Sequence, residues 1–134
     1  MPAVVVEIAR PPADVWRAFT DVSLLAAWMP GVRRTQIVDQ PPGERPREIL
    51  FEFSTSLTYT LVYTYDEDKR EVHWEPRVGR RDAVRGFARV EASGSGSRLT
   101  YSLEQGSGRT TEDLILGGPQ AFVEAFVLWI EARR

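Results

Sequence analysis

Leu57-Thr58-Tyr59-Thr60-Leu61-Val62-Tyr63-Thr64-Tyr65 is the stretch on which the architecture turns. Leu57, Tyr59, Leu61, Tyr63 and Tyr65 alternate with Thr58, Thr60, Val62 and Thr64. A period of two puts the leucines and tyrosines on one face of a strand, whereas helical spacing would scatter them around the axis. Threonine, valine and tyrosine also suit a pleated, half-buried surface.

The same period extends to both sides. Upstream, Glu48–Ser54 sets Ile49, Phe51 and Phe53 against Glu48, Leu50 and Glu52, and Val32–Asp39 reads as a further strand. Downstream, Glu71–Glu75 sets Val72 and Trp74 against His73, Ala83–Glu91 sets Val84, Gly86, Ala88 and Val90 against Arg85, Phe87, Arg89 and Glu91, and Arg98–Glu104 sets Leu99, Tyr101 and Leu103 against Thr100 and Ser102. Strands in series with short connections read as an antiparallel meander. Gln40–Pro46 is a Pro/Gly loop, and Ser93-Gly94-Ser95-Gly96-Ser97 reads as a flexible hairpin tip.

The ends of the chain differ. Residues 3–9 are β-branched and read as a strand. Pro11-Pro12-Ala13-Asp14 then opens a helix, with proline in the first turn and an acid near the positive end of the dipole. A second short helix, residues 22–29, carries Leu24, Leu25 and Trp28 and ends at Pro30-Gly31. Helical spacing returns from Pro119 to about Arg133, where Phe122, Phe126, Trp129 and Ile130 share a face. Glu124 and Glu131 fall within about 20° of each other on a narrow polar stripe, so the helix needs cover on more than one side: a curved sheet, a ligand cavity or a partner subunit. Thr110–Leu116 reads either as a first helical turn or as a lid.

Composition narrows the function. A chain of 134 residues reads as one domain, 1–134, that buries about 68% of its unfolded surface. With no cysteine and one histidine, it has no disulfide framework, cysteine nucleophile or multi-histidine metal site, so no metal is expected. A net charge of −2 argues against nucleic acid as a partner. The N-terminus lacks a basic leader, and no run approaches membrane-spanning length, so no membrane insertion and a cytoplasmic location are expected. No nucleotide-binding or zinc-protease motif is present.

Four residues stand out as candidates for chemistry. His73 is the one side chain that ordinarily titrates near neutrality, yet between Glu71 and Glu75 it reads as solvent-facing. Glu52, between Phe51 and Phe53, would have a raised pKa if its face were buried. Tyr59 and Tyr63 offer hydroxyls on an apolar face. Arg77, Arg80, Arg81, Arg85 and Arg89 form a basic cluster that reads as a solvated hairpin face, with Arg85 and Arg89 about 13 Å apart at the strand rise.

The element order resembles the START-like (SRPBCC, helix-grip) superfamily, closest to its polyketide cyclase/dehydrase and lipid-transport family. The resemblance rests on Val6-Glu7-Ile8 followed by Arg10-Pro11-Pro12-Ala13-Asp14-Val15-Trp16, then Phe19-Thr20-Asp21, Leu24–Trp28 and Pro30-Gly31-Val32. Gly86–Val90 and Gly96–Tyr101 match its last two strands. It implies an α+β helix-grip fold: an antiparallel sheet of about seven strands curved around a C-terminal helix, with two short helices after the first strand. Gly117-Gly118-Pro119 departs from the family by shortening the final helix. By the family's parity, Gly86, Ala88 and Val90 face inward.

A curved sheet gripping one helix leaves a concave, mostly apolar space, the general form of a small-molecule site. The resemblance implies that Trp28, Phe51, Phe53, Tyr59, Leu61, Tyr63, Trp74, Tyr101, Phe122 and Phe126 line it. The expected ligand is a hydrophobic small molecule such as a lipid, quinone or polyketide, without a cofactor. A polyketide cyclase/aromatase-type enzyme and a protein-interaction module are the alternatives. Self-association as a homodimer, through the C-terminal helix or an exposed strand, is also expected.

Overall fold

A computed structural model of the chain describes residues 3–54, 58–76, 84–105 and 119–132. The elements are β1 (Ala3–Ile8), α1 (Pro12–Thr20), α2 (Val22–Trp28), β2 (Val32–Asp39), β3 (Glu48–Phe53), β4 (Thr58–Asp66), β5 (Glu71–Pro76), β6 (Val84–Ser93), β7 (Gly96–Gln105) and α3 (Pro119–Ala132). The strands form one seven-stranded sheet in the order β1-β7-β6-β5-β4-β3-β2, antiparallel throughout. The meander therefore runs unbroken from β2 to β7, and β1 closes on β7 at the far edge. Since β1 and β2 lie at opposite edges, the α1–α2 pair carries the chain across the sheet, with α1 on β6 and β7 and α2 on β2.

Local chemistry sets the helix limits. Pro12 occupies the first turn of α1, where its missing N–H costs nothing. Asp21 caps α2 by accepting from the Ser23 amide at 3.0 Å. Gly31 then takes φ 78°, a left-handed conformation that glycine adopts without strain, and turns the chain into β2.

One sheet face and one stripe of each helix make the core. Ile49, Phe51 and Phe53 of β3, Tyr59 and Leu61 of β4, Val72 and Trp74 of β5, Ala88 and Val90 of β6, and Leu99 and Tyr101 of β7 are buried on that face. Gly86 is buried too, so β6 has the parity expected of it. In α1 the buried set is Val15, Trp16, Phe19 and Thr20, and in α3 it is Phe122, Val123, Phe126 and Ile130. α3 rests on β1, β7 and α2.

Three details sharpen the sequence reading. The Gly/Ser run forms the tip of the β6–β7 hairpin as expected, and Ser93 pairs with Gly96, leaving a two-residue turn with Gly94 at φ 57°. Positive φ at the first central residue alone is the type II′ pattern, which matches strand twist. Ser97 is buried and its hydroxyl donates to the Arg10 carbonyl at 2.6 Å, so the polar composition there serves a strand. Finally, α3 is covered on its Phe122, Val123, Phe126 and Ile130 side, while Leu128 is 75% exposed. The region 106–118, with its lid-or-turn alternatives and Gly117-Gly118, and Leu57 lie outside the described residues.

Candidate functional site

The interior face is a continuous chain of aromatic rings. Phe53 and Tyr59 have centroids 5.2 Å apart, Phe51 and Tyr63 6.4 Å, Tyr63 and Trp74 6.0 Å, Trp74 and Tyr101 5.4 Å, and Tyr101 and Phe122 6.4 Å. A second group joins through Phe19, which lies 6.5 Å from Trp74, 6.1 Å from Tyr101, 5.6 Å from Trp28 and 5.3 Å from Phe126. The sheet period supplies the first group and the helical stripes supply the second. All ten residues proposed from the sequence as ligand-lining thus fall on one side of the sheet, with Leu61 among the rings of β4. Tyr63 is half-buried where most of the others are buried.

Burial also sets the protonation of the phenols. Desolvation pushes Tyr63 and Tyr101 well above the ordinary tyrosine range, and neighbouring tyrosines add to the shift in both. These hydroxyls are protonated at neutral pH and so are able to donate a hydrogen bond.

At Tyr63 the interior meets the surface. An open groove of about 860 Å³ is lined by Tyr63, Tyr65, Pro46, Arg45, Arg47 and Glu67, among others. The β2–β3 loop crosses the end of β4 here, tied by the Tyr63 amide to the Arg47 carbonyl at 2.7 Å and by the Tyr65 hydroxyl to the Pro46 carbonyl at 2.8 Å. Burial pushes the Tyr65 phenol up to about 12.

Arg45 organises the rim. Its guanidinium lies over Trp16 at 5.5 Å and over Tyr65 at 5.6 Å. It donates to Thr20 Oγ1 at 2.8 Å and forms a two-nitrogen pair with the Glu67 carboxylate. Trp16 Nε1 also donates to Glu67, at 2.9 Å. The Arg45 hydrogen bond, followed by that from Trp16, holds the Glu67 carboxyl below its ordinary pKa. This cluster joins α1, the β2–β3 loop and the β4–β5 turn. Sequence reasoning missed it, since the loop shows only proline and glycine as signals and the contacts span 22 or more residues.

The remaining candidates lie on the opposite face of the sheet. His73 is exposed, stacks on Phe87 at 5.5 Å and meets Glu71 Oε1 through Nε2 at 2.7 Å. Glu71 also accepts from Arg89 at 3.0 Å, and the hydrogen bonds from His73 and Arg89 hold its carboxyl low. Glu52 requires a correction: its pKa is lowered, not raised. It lies on the outer face, where a hydrogen bond from Arg33 and then one from Arg34 favour the ionised form. β2 skips a residue between Val32 and Arg34, and that bulge lets consecutive arginines reach one carboxylate. His73 and Glu52 thus do not join Tyr59 and Tyr63. Of the arginine cluster, Arg85 is exposed and Arg89 is bound to Glu71, while Arg77, Arg80 and Arg81 lie outside the described residues.

Comparison with known proteins agrees with the fold. A family model described as polyketide cyclase/dehydrase and lipid transport matches residues 3–128. Among solved structures, the protein TTHA0849 from Thermus thermophilus is 15% identical with a TM-score of 0.77, covering 98% of each chain. A START superfamily protein from Mycobacterium smegmatis is 13% identical with a TM-score of 0.76, over 97% of this chain and 96% of that one. A STAR-related lipid transfer protein from Xanthomonas axonopodis is 14% identical with a TM-score of 0.66, over 96% and 84%. At such identities the likeness is one of fold. No curated protein matches.

Proposed function

The chain belongs to the polyketide cyclase/dehydrase and lipid-transport family, and from that premise we propose that it binds a hydrophobic small molecule of the lipid, quinone or polyketide kind in its aromatic interior. The observation that carries this reading is the position of Tyr63. It lines the open groove and also stands in ring contact with Phe51 and Trp74, so one side chain joins the groove to the buried rings. An apolar ligand laid there gains about 25 cal/mol for each Å² it removes from water, less the cost of its lost freedom. The ring faces supply this without specifying one molecule, and the few hydroxyls orient what enters.

A second reading, a cyclase, rests on the placement of the Tyr63 and Tyr101 hydroxyls among apolar rings. Protonated tyrosines in an apolar space can polarise a carbonyl while the walls hold a flexible chain in a reactive shape. Binding is common to both readings.

Competition against the dye 1-anilinonaphthalene-8-sulfonate tests the proposal. Enhanced dye emission that a long-chain fatty ester, a short-chain quinone or an aromatic polyketide reverses at a one-to-one ratio supports it. Absence of dye binding, or dye that none of the three displaces, contradicts it.

A further inference from the structure

Trp28 closes α2 and is 5% exposed, and its Nε1 has no hydrogen-bond partner among the described residues. Other buried or half-buried donors among the described residues have partners: Trp16 Nε1 reaches Glu67 at 2.9 Å, the Tyr65 hydroxyl reaches Pro46 at 2.8 Å and the Ser97 hydroxyl reaches Arg10 at 2.6 Å. The rings packed on Trp28 are Phe126, with centroids 4.9 Å apart, and Phe19, at 5.6 Å, and neither has a lone pair to offer. Leaving such a donor unpaired is unfavourable, because it gives up its hydrogen bond to water and gains none in return. A phenylalanine would fill the same place between α1 and α3 at no such cost. The indole N–H becomes favourable only when something brings an acceptor to it.

We propose that Trp28 Nε1 is the polar anchor at the deep end of the ligand site, and that the ligand is an apolar molecule carrying a neutral carbonyl oxygen. The inference rests on the hydrophobic-ligand reading above. Trp28 connects through Phe19 to Trp74 and Tyr101, and Trp74 connects to Tyr63 at the groove, so the ring chain runs from the surface to this donor. The acceptor is neutral because a buried carboxylate needs a cation, and the rings around Trp28 provide none. Ketone, quinone and ester oxygens fit, whereas a free fatty acid entering carboxylate-first does not.

Two probes of similar size test this, 2-acetylnaphthalene and 2-ethylnaphthalene, each titrated against the dye on the full chain. Burial alone favours the hydrocarbon, so a preference for the ketone reports a donor inside. The wild-type protein is expected to bind the ketone about 10-fold more tightly, and Trp28→Phe to abolish that preference. Equal affinities, or tighter binding of the hydrocarbon, overturn the inference. So does a ketone preference that persists in Trp28→Phe, which would assign the donor to a tyrosine. If neither probe displaces the dye while a quinone or fatty ester does, the anchor is overturned and the hydrophobic-ligand reading stands; if none of them displaces it, both fail. Should Trp28→Phe not fold, the wild-type indole N–H resonance decides, assigned by its proximity to Phe19 and Phe126. A downfield shift with the ketone and none with the hydrocarbon supports the anchor, and no shift with the ketone overturns it.

Discussion

Tyr63 and Trp74 are direct partners across the β4–β5 ladder, with ring centroids 6.0 Å apart. The same row continues to Gly86 of β6, opposite Trp74. A half-buried tyrosine, a buried tryptophan and a glycine thus lie side by side, stepping from the groove into the core. The tyrosine meets the surface, the tryptophan joins both ring groups, and the glycine leaves room for the indole.

Tyr63→Phe keeps the ring and removes the hydroxyl. The fold is expected to survive, with an unchanged circular dichroism spectrum, while affinity for an oxygen-bearing ligand falls about 5-fold, the worth of one hydrogen bond. Isothermal titration with a short-chain quinone measures it, and unchanged affinity would remove Tyr63 from the site.

Phe126→Ala is expected to behave differently. Phe126 is fully buried against Phe19, Trp28 and Trp129, and truncating such a ring costs about 3–5 kcal/mol. Denaturant unfolding should show that loss as an earlier midpoint. A cost below about 1 kcal/mol would mean that α3 does not pack as described.

Gly86→Ala tests the close approach of the strands. A Cβ at this position would stand 2.0 Å from the Ser102 carbonyl oxygen and 3.1 Å from Trp74 Cζ2. The first obstacle is backbone and cannot swing aside, so one methyl group should displace the β6–β7 ladder. Thermal melting should show a midpoint lowered by many degrees, or a protein that does not fold. A wild-type melt would contradict the register.

Acid should loosen the rim of the groove. Hydrogen bonding from Arg45, then from Trp16, lowers the Glu67 carboxyl below 4.5, so its contribution to stability is complete above that value and fades as pH falls through the lower folded value. Glu67→Gln should therefore melt below wild type at pH 7, with the gap closing as pH drops beneath 4.5. Parallel melting curves at all pH values would contradict the pairing. Arg45→Met, which keeps a flexible apolar stem but loses the guanidinium, should cost about 1–2 kcal/mol at pH 7.

Legibility in the sequence follows the range of the interaction. Alternation along β3, β4 and β5 separates Phe51, Phe53, Tyr59 and Trp74 from Glu52 and His73, because side-chain direction in a strand is a local property. The environment of Glu52 is not local: flanking phenylalanines suggest burial, but they point the other way and a β2 bulge supplies two arginines. Arg45 sits in a Pro/Gly loop whose composition indicates only a break, while its partners Thr20 and Glu67 lie on separate elements. The β6–β7 hairpin is legible in its serines and glycines, while the two-residue length of its turn is set by the pairing of Ser93 with Gly96. The unpaired N–H of Trp28 emerges only once α1, α2 and α3 are packed together.

Native mass spectrometry of the gently purified protein, followed by organic extraction, decides whether the interior holds a ligand. A bound species of added mass that extracts as a neutral, carbonyl-bearing hydrophobic molecule is expected or, if the protein emerges empty, a one-to-one mass shift on adding a quinone or fatty ester. A clean unliganded mass that stays unchanged with quinones, fatty esters and aromatic polyketides would contradict a ligand-binding interior.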